Sequence, residues 1–309
     1  MLDNRPPAGS ESKYRAWLAR QEEDARIEND VHFLSQLPIK EMTEYGWLPK
    51  CKDKRGQAKS ALSFFGVVSS DRVPIVEETA FRRSQSFSAS SWALAAWLRK
   101  GELDAQEIST ASYDRDSFLQ AVQKIRSLTN QMPIDFVPTL VKLCARAGVA
   151  VVFVRELPKT SVSGATRWIA HNRALIQLSL CYKTDDMFWF AFFHECGHVY
   201  LGHAKRDVLL EGVYAEQELA NTLDQREVAA NNFAMDLLVP SQELATFVGN
   251  RNLTKDAIQR FAERIGISPG IVVGRLQFEK KLDWNKFRTL KRTFHWEDWP
   301  IQESATFRS

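Results

Sequence analysis

Three residues that could bind and use a metal ion lie close together, at His194, Glu195 and His198 of the segment MFWFAFFHECGHVYLGH. Each residue of an α-helix turns by about 100°, so the two histidines lie about 40° apart and can reach one ion. Imidazole nitrogens suit Zn²⁺, and a neighbouring carboxylate can take a proton from a water in the open coordination position. The spacing predicts a buried zinc-binding helix over Met187–Tyr200. The alternative is a core helix whose histidines bond to the backbone.

A third protein ligand must come from elsewhere in the chain. The metzincin continuation H-x-x-G-x-x-H requires glycine at position 201 and histidine at position 204, whereas the chain has Leu201 and Ala204. His203 is one residue out of register and follows Gly202, a predicted helix terminator. The remaining source is a carboxylate from a later helix, as in the gluzincin arrangement of two His and one Glu.

Glu227 is the predicted third ligand. It belongs to a predicted helix, QREVAANNFAMDLLVP, with Asp224 as a candidate N-cap. Ala230, Asn231, Ala234 and Leu238 share the face of Glu227, and the small residues among them allow close packing. Asn231 could orient a ligand, although packing would explain it equally well. Other candidate carboxylates lie in the loop-like segment 204–222, where we expect a solvated acidic surface: Glu211, Glu216 and Glu218.

Composition limits the class of protein. The chain has 309 residues, of which 44% are hydrophobic and 26% charged, so it can bury a substantial core in two or more domains. It lacks an apolar run long enough to span a membrane, and its polar N-terminus does not resemble a signal peptide, so we expect a cytoplasmic protein with no membrane partner. The net charge of +3 is too small to indicate a nucleic-acid partner. The cysteines lack the spacing of a zinc knuckle or a disulfide framework: Cys51, Cys144, Cys181 and Cys196.

The patterns predict an α+β fold that is mainly helical. Residues 1–105 form a helical N-terminal region with a disordered leader at 1–12 and a helix C-cap at Gly101. Its expected role is packing or linking, and the alternative is docking of a partner. Residues 106–245 form the zinc domain, in which a small sheet lies beside the zinc-binding helix. Before that helix we predict two helices, at Asp114–Leu128 and Val137–Ala147. A buried strand follows at 149–154, and then a hairpin whose strands are 164–170 and 173–180.

Residues 246–309 form a C-terminal helical region. The segment QRFAERIGISPGIVVGRL places Ala262, Gly266 and Val272 at the spacing of a helix-turn-helix. Basic residues follow it between positions 280 and 292. Direct DNA binding is therefore one interpretation. The other is that these helices pack on the zinc domain and the basic residues form a solvated tail.

The chain resembles the ImmA/IrrE family of zinc metallopeptidases. The resemblance rests on HECGHVYLGH together with the block from Glu227 to Pro240, and it extends over most of residues 60–280 through FRRS, WLRKGE, GVAVVFV, GATRWI, LIQLSL, TDDMFWF and SPGIVVGRLQ. The chain most resembles family members that are fused to an XRE or HigA-type helix-turn-helix, although no such motif is evident before residue 60. The resemblance implies a minimal, gluzincin-like zincin domain.

The resemblance also implies roles for individual residues. His194, His198 and Glu227 would bind Zn²⁺, and Glu195 would be the general base and acid. The substrate would be a regulatory protein, namely a helix-turn-helix repressor or an antitoxin, with a toxin as a possible further partner. The weak candidates for stabilising the oxyanion are Tyr200, His171 and His203. The alternative function is an antitoxin-like regulator or partner-binding protein that retains the zincin fold without needing proteolysis. A structural zinc would usually have a fourth protein ligand, and we expect Cys196 to point away from the histidines.

Overall fold

A computed structural model describes residues 11–73, 91–203, 209–212, 225–250 and 252–300. These residues divide between two compact units. The first contains residues 1–76, 89–99 and 157–159, and the second contains residues 77–88, 100–156 and 160–309. Among the described residues, no helix combines the length and the apolar character needed to cross a bilayer.

The first unit is helical. It contains α1 (Glu11–Gln36), α2 (Ile39–Glu44) and α3 (Lys54–Phe65). Asp53 caps α3 by accepting a hydrogen bond from the Gly56 amide at 2.8 Å. The Phe33 ring contacts Phe65 and Trp92 edge-on, with ring centroids 6.0 and 5.1 Å apart. Aromatic packing therefore holds these helices together. The short helix α2 was not predicted.

The bounds of helix α4 (Ser91–Gln106) show that the predicted helix end at Gly101 is wrong. Gly101 was predicted to cap a helix, yet α4 continues through it. The reason is tertiary, because a Cβ at Gly101 would collide with the side-chain amide of Gln177. Glycine is present because position 101 lies against Gln177 of the sheet, which sequence periodicity does not reveal. The predicted leader at 1–12 lies outside the described residues except for Glu11 and Ser12, which begin α1.

The second unit combines helices with a small mixed sheet, so the prediction of a mainly helical α+β fold is confirmed. It begins with α5 (Arg115–Arg126) and α6 (Pro133–Arg146), followed by β1 (Val149–Phe153), β2 (Val162–Ala170) and β3 (Arg173–Leu178). The predicted strand and hairpin are confirmed. Both predicted helices exist with shifted ends, and α6 begins earlier than predicted because Pro133 suits a first helical turn.

The sheet has the strand order β1-β3-β2-β4, where β4 is Leu209–Gly212. Strands β1 and β3 are parallel, with Val149 opposite Ala174. Strand β2 is antiparallel to both of its neighbours, with Thr166 opposite Ile176 of β3 and Leu209 of β4. Within the described part of the chain, β4 therefore forms the edge of the sheet next to β2.

Helix α7 (Asp185–Leu201) carries the predicted metal-binding motif and packs on β2 and β3. The remaining helices are α8 (Gln225–Leu238), α9 (Ser241–Gly249), α10 (Lys255–Ile265) and α11 (Pro269–Phe278). One hydrophobic core includes residues from α5 to α11 and extends to Phe294 and Trp299. The predicted domain boundaries at 105 and 245 stay predictions, although this core contains residues from both sides of position 245.

Candidate metal centre

Most of helix α7 is buried, as its aromatic sequence predicts. Trp189, Phe192 and Phe193 are fully buried, and His194, Glu195 and His198 are at most 1% exposed. The helix ends at Gly202, whose φ of 75° is left-handed, so the predicted terminator is confirmed. Polar residues on such a helix need partners from neighbouring elements. Those partners come from α8 and β2.

The side chains of His194, His198 and Glu227 converge on one point. The Nε2 atoms of the two histidines are 2.8 Å apart. Glu227 Oε2 lies 3.3 Å from Nε2 of His194 and 3.4 Å from Nε2 of His198. The structure thus brings together the three residues that the sequence predicts as ligands, although their role as ligands stays a prediction.

A close approach of two helices places Glu227 beside the histidines. A Cβ at Gly197 of α7 would lie 3.0 Å from Ala230 Cα and 3.2 Å from its carbonyl oxygen. Ala230, Ala234 and Leu238 are the buried residues of α8, which confirms the predicted small-residue face. Because α8 can come this close only opposite a glycine, Gly197 sets the position of the Glu227 carboxylate.

Arg126 fixes the other end of α8. Its guanidinium donates to the carbonyl oxygens of Leu237 at 2.7 Å and Leu238 at 2.9 Å, which end α8. It also donates to the carbonyl oxygen of Ile265 at 2.7 Å, where α10 ends. A cation at a helix C-terminus satisfies free carbonyls and complements the helix dipole. Arg126 therefore holds the helix of Glu227 in place from the end opposite to the site.

The outer nitrogens of both histidines have partners. Nδ1 of His194 lies 2.8 Å from Asn231 Oδ1, and Nδ1 of His198 lies 3.2 Å from Nδ1 of His203. An acceptor at Nδ1 fixes the tautomer that presents a free Nε2 lone pair to a metal. Asn231 thus has the contact that an orienting residue needs. His203 contacts the outer side of His198, away from the convergent Nε2 atoms.

Glu195 is held between α7 and β2. Its Oε2 accepts a hydrogen bond from the hydroxyl of Thr166, which is fully buried. A Cβ at Gly164 would lie 2.5 Å from Glu195 Oε1, so only glycine leaves room for the carboxylate at this point of the strand. Sequence reasoning missed both residues, because neither belongs to a motif and only the position of β2 against α7 reveals them.

The electrostatics favour the protonation states that a metal site requires. Burial alone would raise the pKa of Glu227, but hydrogen bonds from His194 and His198 and their charges lower it to about 2. Burial lowers the pKa of His198, against the opposing effect of Glu227. Burial also raises the pKa of the Cys196 thiol well above its usual range. The site therefore offers an ionised carboxylate at Glu227, and burial favours the neutral form of His198, while the Cys196 thiol stays protonated in the core.

These donors fit a zinc ion. Ligand atoms at about 2.0–2.1 Å from Zn²⁺ in a tetrahedron are about 3.3 Å from one another. The two distances to Glu227 Oε2 match that separation, and the two Nε2 atoms, which are 2.8 Å apart, would have to separate slightly around an ion. Among the described residues this is the one group of three or more His, Cys, Asp or Glu side chains placed to share an ion. The set leaves one tetrahedral position for a water or a substrate.

The other candidates are placed differently. The Tyr200 ring stacks on Phe233 of α8. The guanidinium carbon of Arg115 lies 4.1 Å from the centroid of the Tyr200 ring, so this ring is engaged in packing. His171 lies in the turn between β2 and β3. Glu211 belongs to β4, but its side chain is outside the described residues, as are three other predicted residues: Glu216, Glu218 and Asp224.

The C-terminal region contacts the start of α7 through hydrogen bonds and ion pairs. Asp185 is fully buried, and its Oδ2 accepts hydrogen bonds from the Ser268 hydroxyl at 2.6 Å and from Arg292 Nε at 3.1 Å. The amide of Arg292 donates to Asp185 Oδ1 at 3.1 Å, and Lys291 Nζ lies 2.6 Å from Asp186 Oδ2. The interpretation of all the basic residues as a solvated tail is therefore wrong for Lys291 and Arg292. Both neutralise buried carboxylates, which cannot stay charged without a partner.

The two helices and the tight turn of the predicted helix-turn-helix are present. Helices α10 and α11 flank Gly266, whose φ is 72°, and Ala262 and Val272 are buried as the spacing predicts. However, α11 packs against α7, and most of its residues are buried: Gly270, Ile271, Val272, Val273, Leu276 and Gln277. A recognition helix needs an exposed face to enter a major groove. Helix α11 lacks such a face.

Residues 144–277 match the family model of the IrrE N-terminal-like domain. That domain defines a peptidase family, and the matched range contains His194, Glu195, His198 and Glu227. The resemblance to the ImmA/IrrE family is confirmed over this range, which is shorter than the predicted 60–280. The closer similarity to family members that are fused to a helix-turn-helix regulator stays a prediction. No protein among curated sequences matches the chain.

The IrrE N-terminal-like domain does not account for the whole core. The match ends within α11, whereas Leu290, Phe294 and Trp299 are buried beyond it. Phe294 and Trp299 contact Phe188 of α7, with ring centroids 5.7 and 5.6 Å apart. In this chain the segment after the matched range therefore completes the packing around α7.

Proposed function

We propose that this protein is a zinc-dependent metallo-endopeptidase. The observation that carries the proposal is the convergence of two imidazole Nε2 atoms and Glu227 Oε2, with Glu195 buried on the same helix. The family match to a peptidase domain over residues 144–277 supports it. His194, His198 and Glu227 would hold the ion in a gluzincin-like zincin domain.

Glu195 is the proposed general base and acid. Bound zinc would polarise the scissile carbonyl and lower the pKa of the attacking water. Glu195 removes a proton from that water and returns it to the leaving amine. Thr166 holds Oε2 of Glu195 by a hydrogen bond, which fixes the carboxylate between the strand and the metal ligands. Gly164 leaves the room that this position requires.

Strand β4 is the proposed site for an extended substrate. Among the residues that the structure describes, it forms the edge of the sheet next to β2, and β2 carries Gly164 and Thr166 beside Glu195. An exposed strand edge can add a peptide as a further strand through main-chain hydrogen bonds. Such pairing is independent of side-chain identity, so specificity would come from docking elsewhere. The substrate that we propose, following the family resemblance, is a helix-turn-helix repressor or an antitoxin.

The number of protein ligands favours catalysis over a purely structural zinc. Structural zinc sites usually have four protein ligands. Within the described residues only three ligand atoms converge, because Cys196 lies in the hydrophobic core and His203 contacts the outer nitrogen of His198. A regulator that retains the fold without proteolysis would not need the open position or the buried base.

Zinc stoichiometry tests the proposed site. Protein purified in zinc-containing buffer and dialysed should contain one zinc per chain by mass spectrometry of the metal, and Glu227→Gln should lower zinc affinity by about tenfold or more. Glu243→Gln is the matched control, since Glu243 forms an exposed ion pair with Arg264 at 2.7 Å. Equal zinc content and affinity in the two variants would show that Glu227 is not a ligand.

A further inference from the structure

A surface after α11 combines exposed aromatic and basic side chains. Phe278 is 49% exposed and Trp284 is 55% exposed, the largest values in the described residues of the C-terminal region for large apolar side chains. The exposed cations of the same segment complete what we call the 278–288 surface: Lys280, Lys281, Lys286 and Arg288. Asp283 is the exposed acidic residue among them.

The loop that carries this surface is anchored. Gln277 is 1% exposed, and its side-chain Nε2 donates toward the carbonyl oxygens of Asp283, Trp284 and Lys286 at 3.2–3.3 Å. Leu282 and Phe287 of the same loop pack against the core. The exposure of Trp284 therefore belongs to a loop of fixed shape, in which neighbouring apolar side chains are packed inward.

The backbone of the loop is strained at both ends. Lys280 has a φ of 57° and Phe287 a φ of 52°, although neither is a glycine. Left-handed backbone at such residues is unfavourable, and it persists where the surrounding structure requires it. The strain and the buried Gln277 together keep Trp284 and Lys286 facing solvent.

The charges of this surface are available to a partner. Of the basic residues between 280 and 292, Lys291 and Arg292 form ion pairs with Asp186 and Asp185. Lys280, Lys281, Lys286 and Arg288 form no ion pair with any residue that the structure describes. Lys291 Nζ also lies 5.8 Å from the Trp284 ring centroid, a cation–π contact that helps to hold the indole in place.

We propose that the 278–288 surface binds single-stranded nucleic acid. Lysine and arginine side chains would contact phosphates, while Trp284 and Phe278 would stack on unpaired bases. An acidic peptide would use the cations but leave the two aromatic faces in water. Duplex DNA is disfavoured because its bases are already stacked and because α11 is buried against α7. This activity is independent of the proposed proteolysis, and it would place the enzyme near nucleic-acid-bound substrates.

Fluorescence anisotropy with the full-length chain tests the proposal. The probe is a fluorescein-labelled oligothymidylate of about 20 nucleotides, long enough for typical single-strand sites. Contacts from four cations should give a plot of log Kobs against log salt with a slope of about −3, because each contact with a single strand contributes about −0.7. Trp284→Ala should weaken binding by about fivefold or more, since stacking on one base is lost.

A charge-matched pair of variants controls for net charge. Lys281→Glu with Lys286→Glu should weaken binding by about tenfold or more and lower the salt slope by about half. Lys124→Glu with Lys142→Glu changes the same charge on exposed residues of α5 and α6, and it should bind nearly as the wild type does. Thermal melting confirms that each variant is folded.

Three results would overturn the proposal. The first is no binding of the oligothymidylate at low salt. The second is equal weakening by the two double variants, which would mean attraction by net charge only. The third is binding of a duplex or of polyglutamate as tightly as the single strand, with Trp284→Ala unchanged, which would assign the surface to phosphates in general or to an acidic protein.

Discussion

Gly197 on α7 and Ala230 on α8 lie so close that a Cβ on the glycine would stand 3.0 Å from Ala230 Cα. One turn before Ala230, Glu227 reaches the two histidines. The contact between these two small residues therefore sets the distance between the carboxylate and the imidazoles. A larger residue at either position would move Glu227 away from the two histidines.

Gly197→Ala should weaken zinc binding by about tenfold or more, because α8 must shift to admit the methyl group. Overpacking of this kind typically costs about 1–3 kcal/mol of stability. Competition with a chromophoric chelator measures the affinity. Gly249→Ala is the control, since a Cβ there meets no atom within 4 Å and should leave zinc binding unchanged. If both variants bind zinc as the wild type does, the helix contact does not position Glu227.

Thr166→Val should lower kcat with little change in zinc content. The substitution keeps the shape of the side chain but removes the hydroxyl that donates to Glu195 Oε2. A hydrogen bond to a charged group contributes about 1.5–3 kcal/mol, which corresponds to about 10–100-fold in rate. Thr166→Ser retains the hydroxyl and should recover most of the activity. Loss of zinc in Thr166→Val would point instead to a structural defect in α7.

Asn231→Ala should weaken zinc binding by about 10–100-fold, since partners that orient a ligating histidine have effects of this size. Asn231 Oδ1 lies 2.8 Å from Nδ1 of His194, which it orients. Asn232 is exposed and provides a neighbouring control on the same helix. Isothermal titration of the metal-free proteins compares the two alanine variants. Similar affinities would mean that Asn231 serves packing only.

Asp185→Asn should lower the free energy of unfolding by about 1–3 kcal/mol, because it removes one of the two carboxylate oxygens that accept hydrogen bonds from Ser268 and Arg292 and so leaves a buried donor unsatisfied. The exposed pair of Glu243 and Arg264 provides the comparison, and Glu243→Gln should cost about 0.2–1 kcal/mol. Urea unfolding monitored by tryptophan fluorescence measures both. Equal costs would mean that the C-terminal segment does not hold α7.

The core of the site is predictable from sequence where the pattern is local. The spacing of His194, Glu195 and His198 predicts one helical face, and the small residues after Glu227 predict close packing on it. The strands follow from their β-branched runs. These inferences depend on residues within a few turns of one another, where periodicity carries the information.

The remaining features depend on contacts between distant segments. Thr166 contacts Glu195 only because β2 packs against α7. Asp185 pairs with Arg292 although most of the sequence of the second unit lies between them. Gly101 resembles a helix terminator by type, yet it lies within α4 because Gln177 occupies the space of a side chain. Sequence periodicity does not specify which elements meet, so it could not assign these residues.

Labelling of new protein N-termini in cells tests directly whether the protein is an endopeptidase that depends on Glu195. Host cells expressing the wild type are compared with cells expressing Glu195→Gln at equal abundance, and mass spectrometry identifies peptides that begin at a new N-terminus. If the protein is a zinc endopeptidase with Glu195 as its general base, a small set of cleavage sites will require Glu195, in a DNA-binding repressor or an antitoxin. Identical N-termini in the two cultures, with zinc bound to both proteins, would contradict it.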